Sequence, residues 1–213
     1  MKKLSLLALA AASAGLAGCV SLLPKSEPVQ LYRLSPPAAA AQAGGAPEAA
    51  RIDVALAPTE FPRAAAGDRI LTFTGPEAAY IADARWVAPA QILFVEALDG
   101  AFSNQARNVR LQAGRGEHGA PLILDLDVRE FAARYDNGAN AAPTIVLSMD
   151  AKLVRFPDRK LIGERTIRVE QRANENRVRA IVPAYQAAMD QALGELVGWT
   201  DATATAGAAA AQR

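Results

Sequence analysis

Cys19 is the only cysteine and His118 the only histidine in the 213-residue chain, so the two side chains best suited to nucleophilic or metal chemistry each stand alone. A metal site gathers several His, Cys or carboxylate ligands. No spacing around His118 offers them, and in Arg115-Gly116-Glu117-His118-Gly119 the imidazole reads as part of a solvated loop. Asp125, Asp127 and Asp150 invite comparison with the paired carboxylates of general acid–base catalysis. They alternate with Leu124, Leu126 and Met149, and that alternation places them on the solvated face of a sheet whose other face is apolar. The stretch Gly114 to Gly119 lacks the Lys-Ser/Thr ending and the following helix that a phosphate cradle needs. No serine occupies a Gly-x-Ser-x-Gly elbow. These residues point to no catalytic, metal or cofactor site, and the expectation is a protein that is not an enzyme. Arg85-Trp86 is more informative. A Trp just before a helix can plug the core, or it can anchor a partner, because aromatic and Arg side chains dominate binding hot spots; the sequence leaves both readings open.

The N-terminus accounts for the cysteine. Met1-Lys2-Lys3 is a short positive segment, Leu4 to Ala14 an apolar run, and Leu16-Ala17-Gly18 brings small residues directly before Cys19. This is the layout of a secretory signal peptide over residues 1–18. A transmembrane anchor is the weaker reading, since the run falls short of the about 20 apolar residues a spanning helix needs. Cleavage beyond Cys19 would discard the thiol, but Val20, Ser21, Leu22, Leu23 and Pro24 offer no better small-residue site. Leu16-Ala17-Gly18-Cys19 resembles the lipobox of bacterial lipoproteins, which implies diacylglycerol on the Cys19 thiol, cleavage before it and acylation of the new amino group. Each buried methylene contributes about 0.8 kcal/mol, and one chain alone holds only marginally, so several acyl chains keep the protein in place. Val20 stands where an Asp tends to mark inner-membrane retention, and the resemblance therefore implies the periplasmic face of the outer membrane.

Composition narrows the class further. Loss of residues 1–18 removes Lys2 and Lys3 and turns a formal charge of +1 into one of about −1, which argues against nucleic acid, whose phosphate backbone needs a basic face. No second cysteine exists to form an intramolecular disulfide, although the periplasm would permit one. The remaining length suits one domain.

The elements that must position these residues follow from periodicity. Cys19 to Pro28 reads as a lipidated tether, Ser35 to Ala50 as a Pro/Ala/Gly-rich loop and Asp201 to Arg213 as a frayed tail. Between them, a domain over residues 29–200 begins with three short candidate strands at Val29–Leu34, Arg51–Ala57 and Arg69–Thr74. Pro89 to Phe102 carries the apolar stripe of an amphipathic helix, and Asn108 to Gln112 returns as a strand. Three long alternating segments follow, from Leu122 toward Tyr135, from Ile145 to Leu153 and from Leu161 to Gln171. They are joined at Asp136-Asn137-Gly138 and Pro157-Asp158-Arg159 and read as an antiparallel meander. Val178 to Val197 is a second helix, with Asn174 as its N-cap and a bend or late start at Pro183. The economical fold is an α+β two-layer sandwich, with two main helices on one face of a mixed, mostly antiparallel sheet.

One known family shows this order of features. Leu31-Tyr32-Arg33-Leu34, Arg51-Ile52-Asp53-Val54 leading to Pro58, Phe61 and Arg63, then Asp68-Arg69-Ile70, Tyr80 and Arg85-Trp86-Val87-Ala88-Pro89 follow the lipobox in turn. The chain resembles the ABC-type transport auxiliary lipoproteins that accompany MCE-domain lipid transporters such as the paraquat-inducible system. It departs from the family pattern at Phe61-Pro62 and at Val87. The resemblance implies a non-enzymatic docking component that engages an MCE-domain protein and in some relatives forms a homo-oligomeric ring. A lipid-binding carrier and a structural envelope lipoprotein are the alternatives. It also singles out Arg63, Tyr80, Arg85 and Trp86 as partner-contact or core residues.

Overall fold

Leu122–Arg134, the segment of strongest alternation, becomes the strand around which the sheet is organised. The computed structural model describes residues 29–39, 46–112 and 120–211. Its order is β1 (Gln30–Tyr32), a 3-10 turn (Glu48–Ala50), β2 (Ile52–Leu56), α1 (Arg63–Ala66), β3 (Arg69–Thr74), β4 (Glu77–Trp86), α2 (Ala90–Gln105), β5 (Val109–Gln112), β6 (Leu122–Arg134), β7 (Thr144–Arg155), β8 (Lys160–Arg172) and α3 (Val178–Ala211). The eight strands form one sheet. One edge of β6 pairs along its whole length with β7, which pairs with β8, giving the antiparallel meander. The other edge is shared by β2 at its start and β3 at its end, both parallel to it. β4 joins β3 antiparallel, β1 joins β4 parallel, and β5 joins β2 parallel. The parallel pairings are short and the long ones antiparallel. This is an α+β fold with two main helices, as the sequence implies.

The core lies between the sheet and α2 and α3. Leu122, Leu124, Leu126 and Val128 meet Ile145, Leu147, Met149, Ala151 and Leu153 on the face toward the helices. Leu93, Phe94, Ala97, Leu98, Ala101 and Phe102 of α2 and Ile181, Tyr185, Met189, Ala192, Leu193, Leu196 and Val197 of α3 cover them.

Several expectations change. β4 gives no strand signal in the sequence because Glu77-Ala78-Ala79-Tyr80-Ile81-Ala82 is rich in Ala, which strands disfavour. Its pairing with β3 on one side and β1 on the other overrides that preference. Alternation from Leu161 through Gly163 and Arg165 to Ile167 puts Leu161 on the core face, but it lies on the opposite one, 49% exposed. A register shift where Leu153 pairs with Gly163 but Val154 with Leu161 turns Ile162 toward the core instead, as a one-residue slip must. The first turn of α3 closes on Arg177, whose carbonyl accepts from the Ala180 and Ile181 amides at 2.8 and 2.9 Å, so Asn174 is not the cap. The helix then runs through Pro183, which sits on its exposed side.

The C-terminal segment is also different from the expected frayed tail, because α3 continues to Ala211. Ala has the highest helix propensity, and extending an existing helix avoids the cost of nucleation. Small side chains also allow a close approach to β8. A Cβ on Gly163 would come within 2.9 Å of Thr203 Cγ2, and one on Gly207 within 3.1 Å of Ile162 Cγ2.

The Pro/Ala-rich segment after β1 is likewise fixed where it is described. Gln186 donates to the Ser35 carbonyl and accepts from its amide, both at 2.9 Å. Asn104 Nδ2 donates to the Pro37 carbonyl at 3.0 Å. This crossing explains Gly100 inside α2: an added Cβ would lie 2.4 Å from Pro36 Cβ. On an open helix surface Gly→Ala stabilises by about 1 kcal/mol. Gly100→Ala should instead destabilise, by about 1–2 kcal/mol once overpacking exceeds that gain. A urea midpoint at or above wild type would show that the segment does not hold this close contact.

Candidate interaction surface

Four residues singled out in the sequence lie around α1 and the start of β3, in different roles. Trp86 is 2% exposed. Its ring meets Tyr185 of α3 edge-on at 5.2 Å between centroids and Phe131 of β6 at 6.4 Å. Phe131 continues to Phe61 at 5.6 Å, and Phe61 to Phe94 at 5.8 Å. Trp86 is therefore packed in the core, where it joins β4, β6 and α3. Tyr185, fully buried, donates to the Leu71 carbonyl at 3.3 Å, and burial pushes its phenol far above the ordinary range, so it stays protonated as a structural donor.

Arg85 faces the other way. Its Nη1 reaches both carboxylate oxygens of Asp68, at 3.1 and 3.2 Å, with both side chains half-exposed. The Asp68 carbonyl accepts from the Trp86 amide at 2.7 Å, so one residue ties β4 to the loop after α1. Tyr80 donates its hydroxyl to the Ala64 carbonyl at 3.0 Å, and the Arg69 guanidinium lies 3.8 Å from its ring centroid, a cation–π geometry. Arg63 opens α1, is exposed, and forms no ion pair among the described residues. Of the four, Arg63 alone presents an uncommitted charge.

The carboxylates on the opposite sheet face form a network of charge pairs. Asp127 and Asp150 face each other across β6 and β7, and Arg129 bridges them at 2.9 Å to each. Thr166 donates to Asp150 at 2.7 Å. Hydrogen bonds from Thr166 and then Arg129 hold the Asp150 carboxyl below the usual range. Such a group stays ionised near neutrality and is a poor proton donor. Asp125 pairs in register with Lys152 of β7, which pairs with Glu164 of β8. Among the described residues no three His, Cys, Asp or Glu side chains converge as a metal site requires. His118, its glycine-rich loop, the signal segment, Cys19 and the tether lie outside the described residues.

The family model described as ABC-type transport auxiliary lipoprotein component matches residues 32–197. The chain belongs to this family. As an auxiliary lipoprotein it is a membrane-anchored component associated with an ABC transport system. No curated protein matches it significantly. Two crystal structures share its fold. Protein XCC0632 from Xanthomonas campestris is 21% identical with a TM-score of 0.70, over 84% of this chain and 99% of its own. An uncharacterized protein is 15% identical with a TM-score of 0.62, over 82% and 99%.

The sequence reading of the lipoprotein missed one polar site altogether. Asp201 of α3 accepts from the amides of Arg107, Asn108 and Val109 at 3.0, 2.6 and 3.1 Å, all through Oδ1, and its Oδ2 accepts from Asn108 Nδ2 at 2.7 Å. Three successive backbone amides converging on one oxygen form a nest, here filled from within the molecule. The available signal was the helical stripe itself, which continues from Val197 through Thr200 and Ala204, both buried.

Proposed function

We propose that the mature chain is held by acyl chains on Cys19 at the periplasmic face of the outer membrane. There it would serve as the docking subunit for the MCE-domain protein of an ABC-type system that moves phospholipid or another hydrophobic molecule. The observation that carries this reading is the family match over residues 32–197, which spans β1 to the body of α3. The role requires no catalytic group and no cofactor beyond the covalent lipid. The space between sheet and helices is occupied by Phe61, Phe94, Phe131, Trp86 and Tyr185, which favours docking over a carrier that would hold lipid in that layer. The shallow depression of about 580 Å³ on the outer sheet face is lined by charged residues including Glu60, Asp125, Asp127, Arg129 and Lys152, an unsuitable lining for acyl chains. The same resemblance extends the proposal to a ring of copies, which mass photometry of the purified protein would read.

Affinity capture of the lipoprotein from detergent-solubilised membranes should recover an MCE-domain protein. Repeated capture of abundant bait without it would remove the docking reading. Cys19→Ser should convert a membrane-bound protein into a released or unprocessed one, because almost the whole attachment energy resides in the acyl chains. A Cys19→Ser chain that is processed and pelleted like wild type would end the lipid-anchor reading.

A further inference from the structure

Large aliphatic side chains are exposed together at the place where the chain enters the domain. Val29, Leu31 and Val87 are 45, 62 and 52% exposed. In the parallel pairing of β1 with β4, Leu31 is level with Arg85 and Tyr32 with Trp86. Trp86 points into the core, so the alternating residues Leu31 and Arg85 face away from the helices, with Val29 before and Val87 after on that side. The Val87 amide bonds to the Tyr32 carbonyl at 2.7 Å, which holds Val87 against the strand. Arg33, two residues beyond Leu31, is exposed and forms no ion pair among the described residues. The result is a strip of three aliphatics at a sheet edge, bordered by the Arg33 guanidinium and by the Arg85–Asp68 pair.

The chain length before the strip points to its occupant. Between Cys19 and Val29 lie only residues 20–28, which span at most about 30 Å even when fully extended. A second exposed aliphatic and aromatic pair, Leu161 and Phe156, has no such constraint. Phe156 directly follows β7 and Leu161 lies at the start of β8, four and five strand positions from β1, or about 19 and 24 Å across the sheet. The pair also lies at the other end of β6, since the Phe156 amide bonds to the Pro121 carbonyl.

We propose that the outer face of the β1 edge rests on the bilayer that anchors the chain, with Val29, Leu31 and Val87 entering the interface and Arg33 meeting anionic headgroups. This rests on the lipid-anchor reading above. Aliphatic residues beside an unpaired cation, Arg33, are the chemistry of an interfacial contact, and the contact fixes which face the lipoprotein turns to the periplasm: that of α2 and α3.

The lone cysteine makes the test direct. Once its thiol carries lipid, Leu31→Cys, Val87→Cys and Leu161→Cys each supply one reactive thiol at an exposed position, for an environment-sensitive fluorophore. The full lipidated chain is reconstituted into vesicles of phosphatidylethanolamine and phosphatidylglycerol. Labels at 31 and 87 should shift to the blue, lose iodide quenching and gain quenching by a lipid-borne spin label, while the label at 161 stays aqueous. Aqueous behaviour at 31 and 87 in protein that floats with vesicles would overturn the proposal and leave the anchor intact. A blue shift at these positions without vesicles would also overturn it, because a second copy would then be the occupant. Wild-type protein that takes up label at Cys19 and does not float would instead show that the anchor reading had failed.

Discussion

Trp86→Ala should cost about 3–5 kcal/mol of folding stability, the range for deleting a large aromatic from a packed core. That is a large part of the about 5–15 kcal/mol available to a domain, so the variant should be substantially unfolded at moderate urea. The indole is the contact point of three elements: it is edge-on to Tyr185 of α3, tilted against Phe131 of β6, and carried by β4. Its removal leaves Tyr185 without its edge-to-face partner, an interaction worth about 0.5–1.5 kcal/mol beyond area. Trp86→Phe fills part of the cavity and should cost about half as much. The measurement is a urea titration with the slope fixed by the surface exposed on unfolding; the midpoint should fall while the slope stays. The competing reading of Trp86 as a partner anchor makes the opposite forecast, an unchanged midpoint with lost capture of the transporter protein. A midpoint within error of wild type would refute the core assignment.

How far the sequence could be read depended on how each element is stabilised. The meander was legible because Leu122, Leu124 and Leu126 or Ile145, Leu147 and Met149 bury alternate side chains, so the pattern and the packing coincide. The bodies of α2 and α3 were legible for the same reason at helical period. β4 was not, because its place is set by hydrogen bonds to β3 and β1 rather than by its Ala-rich side chains. The slip that exposes Leu161 lies in a register shift, which residue types do not announce. The end of α3 was misread through an assumption that burial needs large residues. Gly207 and Gly163 are useful there because they are small, and they let the helix and β8 approach closely, Gly207 against Ile162 and Gly163 against Thr203. At the candidate surface the residue types were informative but their roles were not. Arg85 and Tyr80 are engaged with Asp68 and Ala64, contacts between segments 16 and 17 positions apart that only the fold brings together.

Asp201 follows from the same correction and carries the second large effect. If the last turns of α3 were a frayed tail, Asp201→Ala would be silent. In the structure its carboxylate satisfies three consecutive amides, Arg107 to Val109, as well as the Asn108 side chain. These amides run from the connection after α2 into the first residue of β5. Hydrogen bonds to a charged group contribute about 1.5–3 kcal/mol each and do not sum, so Asp201→Ala should cost about 2–4 kcal/mol. Asp201→Asn retains one acceptor but brings an amide NH2 toward Asn108 Nδ2, and should fall between wild type and Ala. Truncation before Asp201 should cost at least as much as Asp201→Ala, since it also removes Thr203 and Gly207 from β8 and the buried Ala204. Urea midpoints would rank the three, and faster hydrogen exchange at residues 107–109 in Asp201→Ala would locate the loss. Uniform protection there with a midpoint shift below about 0.5 kcal/mol, the usual limit for surface substitutions, would return this segment to the status of a tail. The expected ranking instead makes the last turns of α3 the clasp that joins the α2–β5 connection to the helix opposite the sheet.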